Sequence, residues 1–344
     1  MMVDSKGHQA GAPTEMPAPA WRDIAKRTYK RTWDDNIGLV AAGVAFYGFF
    51  ALLSLLGLIV LAYGFVADPL TVIEHMQALT AVLPSDVAFV IGDQLMNAVR
   101  ASEKTKGLGI LLAFVVATYG GTNGAASVIT ALNIAYEEKE KRSLFRFYLL
   151  AVSMTLCAVV VALSAIAATA ALAYLQHLLP EAAPSLVIVG KVLGYLLLAL
   201  LAAAVASVLY RFGPSREDAK WRWITPGSLF AALTWLLLTW AFGIYVGRFT
   251  NYHASYGSLG AVVALLSWMY LSAYAFIFGA ELNSEIEHQT AKDSTTGSPE
   301  PMGTRGAWAA DNVATDDTVQ DRPEEKREGE RLTQAAPKIA DEKG

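Results

Sequence analysis

The residues able to do chemistry lie inside apolar stretches. One run carries Thr118, Tyr119, Gly120, Gly121, Thr122, Asn123, Gly124, Ser127 and Thr130 among aliphatic neighbours. A second holds Ser258, Ser267, Tyr270, Ser272 and Tyr274 and leads directly into Glu281 and Asn283. Tyr47 and Ser54 sit in a third, and Asn133 closes the first. Amides, hydroxyls and a carboxylate set singly in apolar surroundings suit hydrogen bonding to a ligand that passes or docks. No Gly-rich phosphate loop, CxxC pair or HExxH helix accompanies them. Hydrolysis of RNA needs clustered carboxylates to hold metal ions and a basic groove, and the short connections between the apolar runs supply neither. His75, His177 and His253 fall in three separate loops with no ligand spacing, so no metal site and no cofactor is expected.

The elements that must position these groups are membrane helices. Of 344 residues, 54% are hydrophobic and 17% charged, with a mean hydropathy of +0.37. A soluble domain carries nearer a quarter charged residues. The net charge of −4 argues against nucleic-acid binding. The single cysteine, Cys157, excludes an intramolecular disulfide framework. Six stretches, 38–66, 108–132, 147–175, 186–209, 224–246 and 256–280, are long enough to cross a hydrocarbon layer of about 20 helical residues. In lipid each must be helical, because an open strand edge has no partner there. The fold class expected is therefore all-α: a six-transmembrane-helix bundle over 38–286. Fourteen Lys/Arg fall on the side of the N-terminal segment and the second–third and fourth–fifth loops, against five on the other. The positive-inside rule then places both termini in the cytoplasm of a bacterial inner membrane.

Around this bundle the pattern assigns supporting roles. Gly120 and Gly124 share a helix face, and with Gly121, Gly257 and Gly260 they read as close-packing positions. Trp21, Trp33, Trp221 and Trp223 flank the cytoplasmic ends and read as membrane-interface anchors. Residues 20–37 read as an amphipathic interfacial helix with basic residues opposite Ile24, Ala25, Tyr29 and Trp33. The loop 67–106 keeps helical periodicity on both sides of Pro84, as a short external helical pair. Residues 1–19 and the acidic segment 287–344 hold few large apolar side chains and read as disordered tails. Glu281, near the cytoplasmic boundary, is expected to pair with Arg142, Arg146 or Arg211.

The segment 35–60, the Ala131–Leu132–Asn133 triplet, and above all 251–286, with Tyr256–Gly257–Ser258–Leu259–Gly260, Trp268, Tyr270 and Gly279–Ala280–Glu281–Leu282–Asn283, resemble the YihY/BrkB family of bacterial inner-membrane proteins. The resemblance runs from about Trp21 to Ile286. It departs at Leu55, which follows Ser54 where the family often has a proline. It implies association with virulence, and an older ribonuclease label regarded as a misassignment. Two readings follow. One is a transporter, exporter or flippase of an envelope-related lipid or small molecule, not an enzyme, with Tyr47, Ser54, Asn123, Asn133, Tyr270 and Glu281 along the substrate path. The other is an envelope scaffold whose cytoplasmic tail recruits partners. Membrane lipids are the expected partners, with anionic lipid at the N-terminal basic helix and a second copy of the chain as further candidates.

Overall fold

The computed structural model describes residues 6–66, 103–178, 184–248 and 258–314. Two short helices, α1 (Ala18–Asp34) and α8 (Trp308–Asp311), bracket six long ones. These are α2 (Ile37–Val66), α3 (Glu103–Ala135), α4 (Leu144–Leu178), α5 (Pro184–Phe212), α6 (Trp221–Arg248) and α7 (Ser258–His288). No strand forms among the described residues; Ala219 and Thr295 make an isolated antiparallel bridge. Five helices, α2, α4, α5, α6 and α7, are long and apolar enough to cross a membrane, and at most 22% of each apolar window is buried. Leu112, Phe114, Leu156, Leu196, Leu200, Leu237 and Trp240 all face outward. An apolar exterior of this extent in long helices is what a lipid solvent selects. Helix α2 continues as helix through Ser54 and Leu55.

Helix contacts follow small residues. Helix α2 packs most extensively on α3, and α7 packs on α6 and α2. A methyl added at Gly120 meets Ser54 Oγ at 2.9 Å, and one at Gly124 meets the Ala51 methyl at 3.3 Å, so both face α2. Gly121 faces α4, where Thr155 Cγ2 stands 2.7 Å from such a methyl. The tightest crossing joins α6 to α7. A methyl at Gly227 falls 2.2 Å from the Gly279 carbonyl oxygen, and one at Gly279 falls 2.7 Å from Ala231 Cβ, Gly227 O and Tyr210 Oη. Pro226 lies inside α6 and offers no N–H to the helix ladder. Asn283 completes the bonding: its Oδ1 accepts from Gly227 N at 2.7 Å and its Nδ2 donates to Ile224 O at 2.8 Å.

At one end of the bundle the segments 6–34, 136–143, 213–220 and 289–314 build a cap. The expectation of tails without structure fails on the described parts of both. Ala10 and Met16 are buried with Ala20, Ile24, Trp223 and Ile286. Thr290 Oγ1 donates to Ala10 O at 2.7 Å, Ala291 N to His8 O at 2.8 Å and Lys220 N to Ser294 O at 2.9 Å. Arg305, 7% exposed, donates to the carbonyls of Ala310 and Ala291. Composition measures the apolar surface a segment brings with it. These segments are ordered instead by hydrogen bonds to chain distant in sequence. The expected external helical pair at 67–106 lies outside the described residues except for 103–106, which begin α3, and so does 315–344.

Candidate functional site

Tyr47 and Asn123 meet across α2 and α3 at a cavity of about 360 Å³, together with Gly43, Ser127, Thr130 and Ile134. Gly43 borders open space in it: a methyl there meets nothing within 4 Å. The walls are aliphatic, and the polar groups are partly committed. Asn123 Nδ2 donates to Tyr119 O at 2.8 Å, Ser127 Oγ to Gly124 O at 2.7 Å and Thr130 Oγ1 to Ala126 O at 2.9 Å. With their hydrogens turned into the helix, the oxygens of Ser127 and Thr130 and the Asn123 Oδ1 remain as acceptors. Such a groove fits an amphiphile that carries hydrogen-bond donors. Ser54 lies two turns beyond Tyr47 in the same helix contact, its hydroxyl bonded to Phe50 O at 2.8 Å.

The other expected path residues lie elsewhere. Asn133 is a clasp between loops: its Nδ2 donates to Glu140 Oε2 at 2.9 Å and its Oδ1 accepts from Ser215 N at 2.7 Å. Tyr270 packs against the apolar core beside Tyr274, ring centroids 6.3 Å apart. Glu281, 2% exposed, meets none of Arg142, Arg146 or Arg211. Those arginines are taken by Glu140, by Ala219 and Asp218, or lie outward, and the neighbours of Glu281 are instead Asp35, Glu285 and Arg31. Gly260 is half-buried near the start of α7, and Gly257 lies outside the described residues.

Beneath the groove the cap holds a buried ionic network. Arg27 Nε donates to Glu285 Oε2 at 2.5 Å and its NH2 to Gln289 Oε1 at 2.6 Å. Arg31 pairs with Glu137 and lies 3.4 Å from Glu285 Oε1. Arg216 grips Glu287 with two bonds of 3.2 and 2.7 Å, both side chains fully buried, and Ser294 Oγ adds a third at 2.8 Å. Burial opposes the Arg216 charge, and Glu287 beside it more than offsets that. Trp308 stands between Arg31, 5.2 Å from its ring centroid, and the His288 ring at 4.9 Å. The Trp308 backbone N–H donates to Glu138 Oε1 at 2.6 Å, while burial pushes the Glu138 carboxyl above its usual range. Glu281, Glu285 and His288 recur at helical spacing past the end of the apolar run. That spacing was the available signal for this network; its arginine partners come from segments with no pattern linking them to α7. Among the described residues no three His, Cys, Asp or Glu side chains are placed to hold a metal ion.

The tryptophans divide by helical phase. Trp33 and Trp221 are exposed and Trp21 is half-buried, but Trp223 is fully buried against Ile24 and Ile286, which corrects its assignment to the membrane interface. Two residues apart on a helix means about 200° of rotation, so Trp221 and Trp223 cannot face the same medium.

The loop clasp makes a pH prediction. Partial burial works against the Glu140 charge, but hydrogen bonds from Arg142 and Asn133 overcome it and hold the carboxyl at about 2. A depressed folded value means stabilisation that is complete above the ordinary carboxylate range near 4.5 and lost as pH falls toward 2. The difference in melting temperature between wild type and Glu140→Gln should hold steady from pH 7 to 5, shrink below 4.5 and vanish near 2. A difference that stays constant to pH 2 would contradict the clasp.

With all-helical architecture, an apolar exterior, a polar groove and a charged cap in place, the chain defines a multi-pass membrane protein. It belongs to the virulence factor BrkB family, whose profile matches residues 28–303. Over 239 residues it is 28% identical to a Bacillus subtilis (strain 168) protein named ribonuclease-like protein YfkH, covering 65% of this chain and 86% of that one. It is 36% identical over 80 residues to the UPF0761 membrane protein Smlt0865 of Stenotrophomonas maltophilia (strain K279a), which is 23% of this chain and 19% of that one. Over 79 residues it is 37% identical to a UPF0761 membrane protein of Xanthomonas campestris pv. campestris (strain B100), 23% and 18% of the two chains. The chain thus spans about a fifth of the length of these two UPF0761 relatives. No solved structure matches. The family is one of membrane proteins and not a known enzyme family.

Proposed function

We propose that the chain is a six-span inner-membrane protein, both termini cytoplasmic, that moves an amphiphilic envelope component along the α2–α3 groove. The observation that carries this reading is the groove itself: a cavity of about 360 Å³ between two long helices, aliphatic in its walls, with Tyr47, Asn123, Ser127 and Thr130 placed along it. Helix α3 serves as the sixth span. Its polar centre lowers its apolarity and gives the path its hydrogen-bonding groups, which a span inside a lipid layer keeps only where they meet a partner or a ligand. The cap end is cytoplasmic because the three basic segments converge there. The ribonuclease name of the Bacillus relative finds no support in the groove, which presents no carboxylate and no cation.

The test is transbilayer movement of fluorescent short-chain lipids in vesicles holding the purified full chain. The wild type should accelerate movement over protein-free vesicles. Gly43→Phe, whose Cβ starts in open space and whose ring would occupy the groove, should lower the rate at least about tenfold in protein that still melts as a folded bundle. Equal rates for variant and wild type would remove the groove as the path. No acceleration by the wild type would remove lipid transport and leave the scaffold reading.

A further inference from the structure

The six basic residues of the N-terminal segment do two different jobs. Arg27 and Arg31 turn inward and are held by Glu285, Gln289 and Glu137. Lys6 pairs with Asp23 at 3.6 Å. Arg22, Lys26 and Lys30 face outward, with no ion pair or hydrogen bond to any described residue. They recur every fourth residue, so they stand within about 80° of one another on α1. Ala25, Tyr29 and Trp33 interleave with them on that same outward face. Tyr29 is 63% and Trp33 67% exposed, their rings in edge contact at 6.3 Å. The opposite face, Ala20, Ile24, Thr28 and Thr32, is buried on the cap and α7. The apolar face expected to lie on the membrane is thereby split: Ile24 packs inside, and Tyr29 and Trp33 lie outside among cations.

We propose that this outward face of α1 binds the headgroups of anionic phospholipid in the leaflet at the cap end. Three arguments favour that occupant. The surface carries three uncompensated positive charges and one exposed carboxylate, Asp34, at its far end. Its aromatic pair has the composition that settles at headgroup depth, with an apolar body and a polar tip. Finally, α1 reaches α2 through only Asp35 and Asn36, and the outward apolar surface begins at once with Leu39. The cations therefore stand at the level where hydrocarbon gives way to headgroups. The inference rests on the anchoring of the chain in a bilayer and is independent of whether the groove carries a substrate.

The experiment is native mass spectrometry of the full chain in mixed micelles of phosphatidylglycerol and phosphatidylethanolamine. The wild type should retain phosphatidylglycerol preferentially. In the triple variant Arg22→Gln/Lys26→Gln/Lys30→Gln that preference should fall by at least about tenfold, each cation near an anionic surface contributing roughly a fivefold factor. Trp33→Ala should weaken retention of both lipids while keeping the preference. Because the three cations have no protein partner, the triple variant should melt with the wild type. An unchanged preference in that variant overturns the proposal. So does calorimetric binding of inorganic phosphate to the wild type in neutral detergent that disappears in the triple variant, since the face would then be a site for soluble anions.

Discussion

Replacing Gly279 with leucine is expected to abolish assembly of the bundle. A methyl group alone at this position stands 2.7 Å from Ala231 Cβ, from the Gly227 carbonyl and from the Tyr210 hydroxyl. Two of those neighbours have little room to give. One is backbone of the opposing helix; the other is a hydroxyl fixed by its 2.5 Å bond to Phe276 O. Forcing α6 away from α7 also pulls Gly227 N and Ile224 O, on either side of Pro226, from Asn283. A leucine should therefore yield no monodisperse protein in mild detergent. Gly279→Ala should fold with a loss of about 1–3 kcal/mol, as overpacked sites do. Gly43→Ala is the matched control: its methyl meets nothing within 4 Å, and alanine favours helix over glycine by up to about 1 kcal/mol. Should Gly279→Leu purify and melt like wild type, the crossing described for α6 and α7 is wrong.

The second large effect is expected at Arg216. Removing this guanidinium as Arg216→Met leaves Glu287, wholly buried, with only the Ser294 hydroxyl for company. Breaking one side of a buried pair costs about 3–5 kcal/mol, because the surviving charge keeps its desolvation and loses its partner. Removing both sides as Arg216→Met/Glu287→Leu should recover most of that loss. Denaturant titrations of the single and double variants measure the difference. A single variant as stable as the wild type, or a double variant worse than the single, would show that the pair does not hold the cap together. The bidentate geometry and the Tyr136 ring, 5.1 Å from the Arg216 guanidinium, also predict that lysine is a poor substitute at this position.

Five of the six expected spans were legible because lipid imposes a simple rule on sequence, about 20 apolar residues in helix. The helices run up to about eight residues beyond the apolar windows, and in α7 those residues carry the chemistry. Glu281, Asn283, Glu285, Glu287 and His288 sit where hydropathy has already fallen. The cap escaped a reading by composition because its order is collective. Segments 6–19 and 289–314 look like solvated chain one at a time, yet Thr290, Ser294 and Arg305 are buried once the pieces meet. For the groove, Tyr47 and Asn123 were identifiable as polar groups in apolar runs, whereas Asn133 and Glu281 satisfied the same criterion and serve the cap. Polarity in an apolar stretch marks a group that needs a partner. It does not say whether that partner is a ligand or the protein itself.

The pairing of Arg27 with Glu285 spans 258 residues of chain. At about 5–20 residues per second, a ribosome takes roughly 13–50 s to make that stretch. Throughout that interval Arg27 exists without the carboxylate it later pairs with, whereas Arg31 gains Glu137 after only 106 residues. Arg27 is drawn against the protein only when the last helix arrives. A chain truncated before Glu285 would therefore leave Arg27 without its partner and the cap without the contacts that close on it.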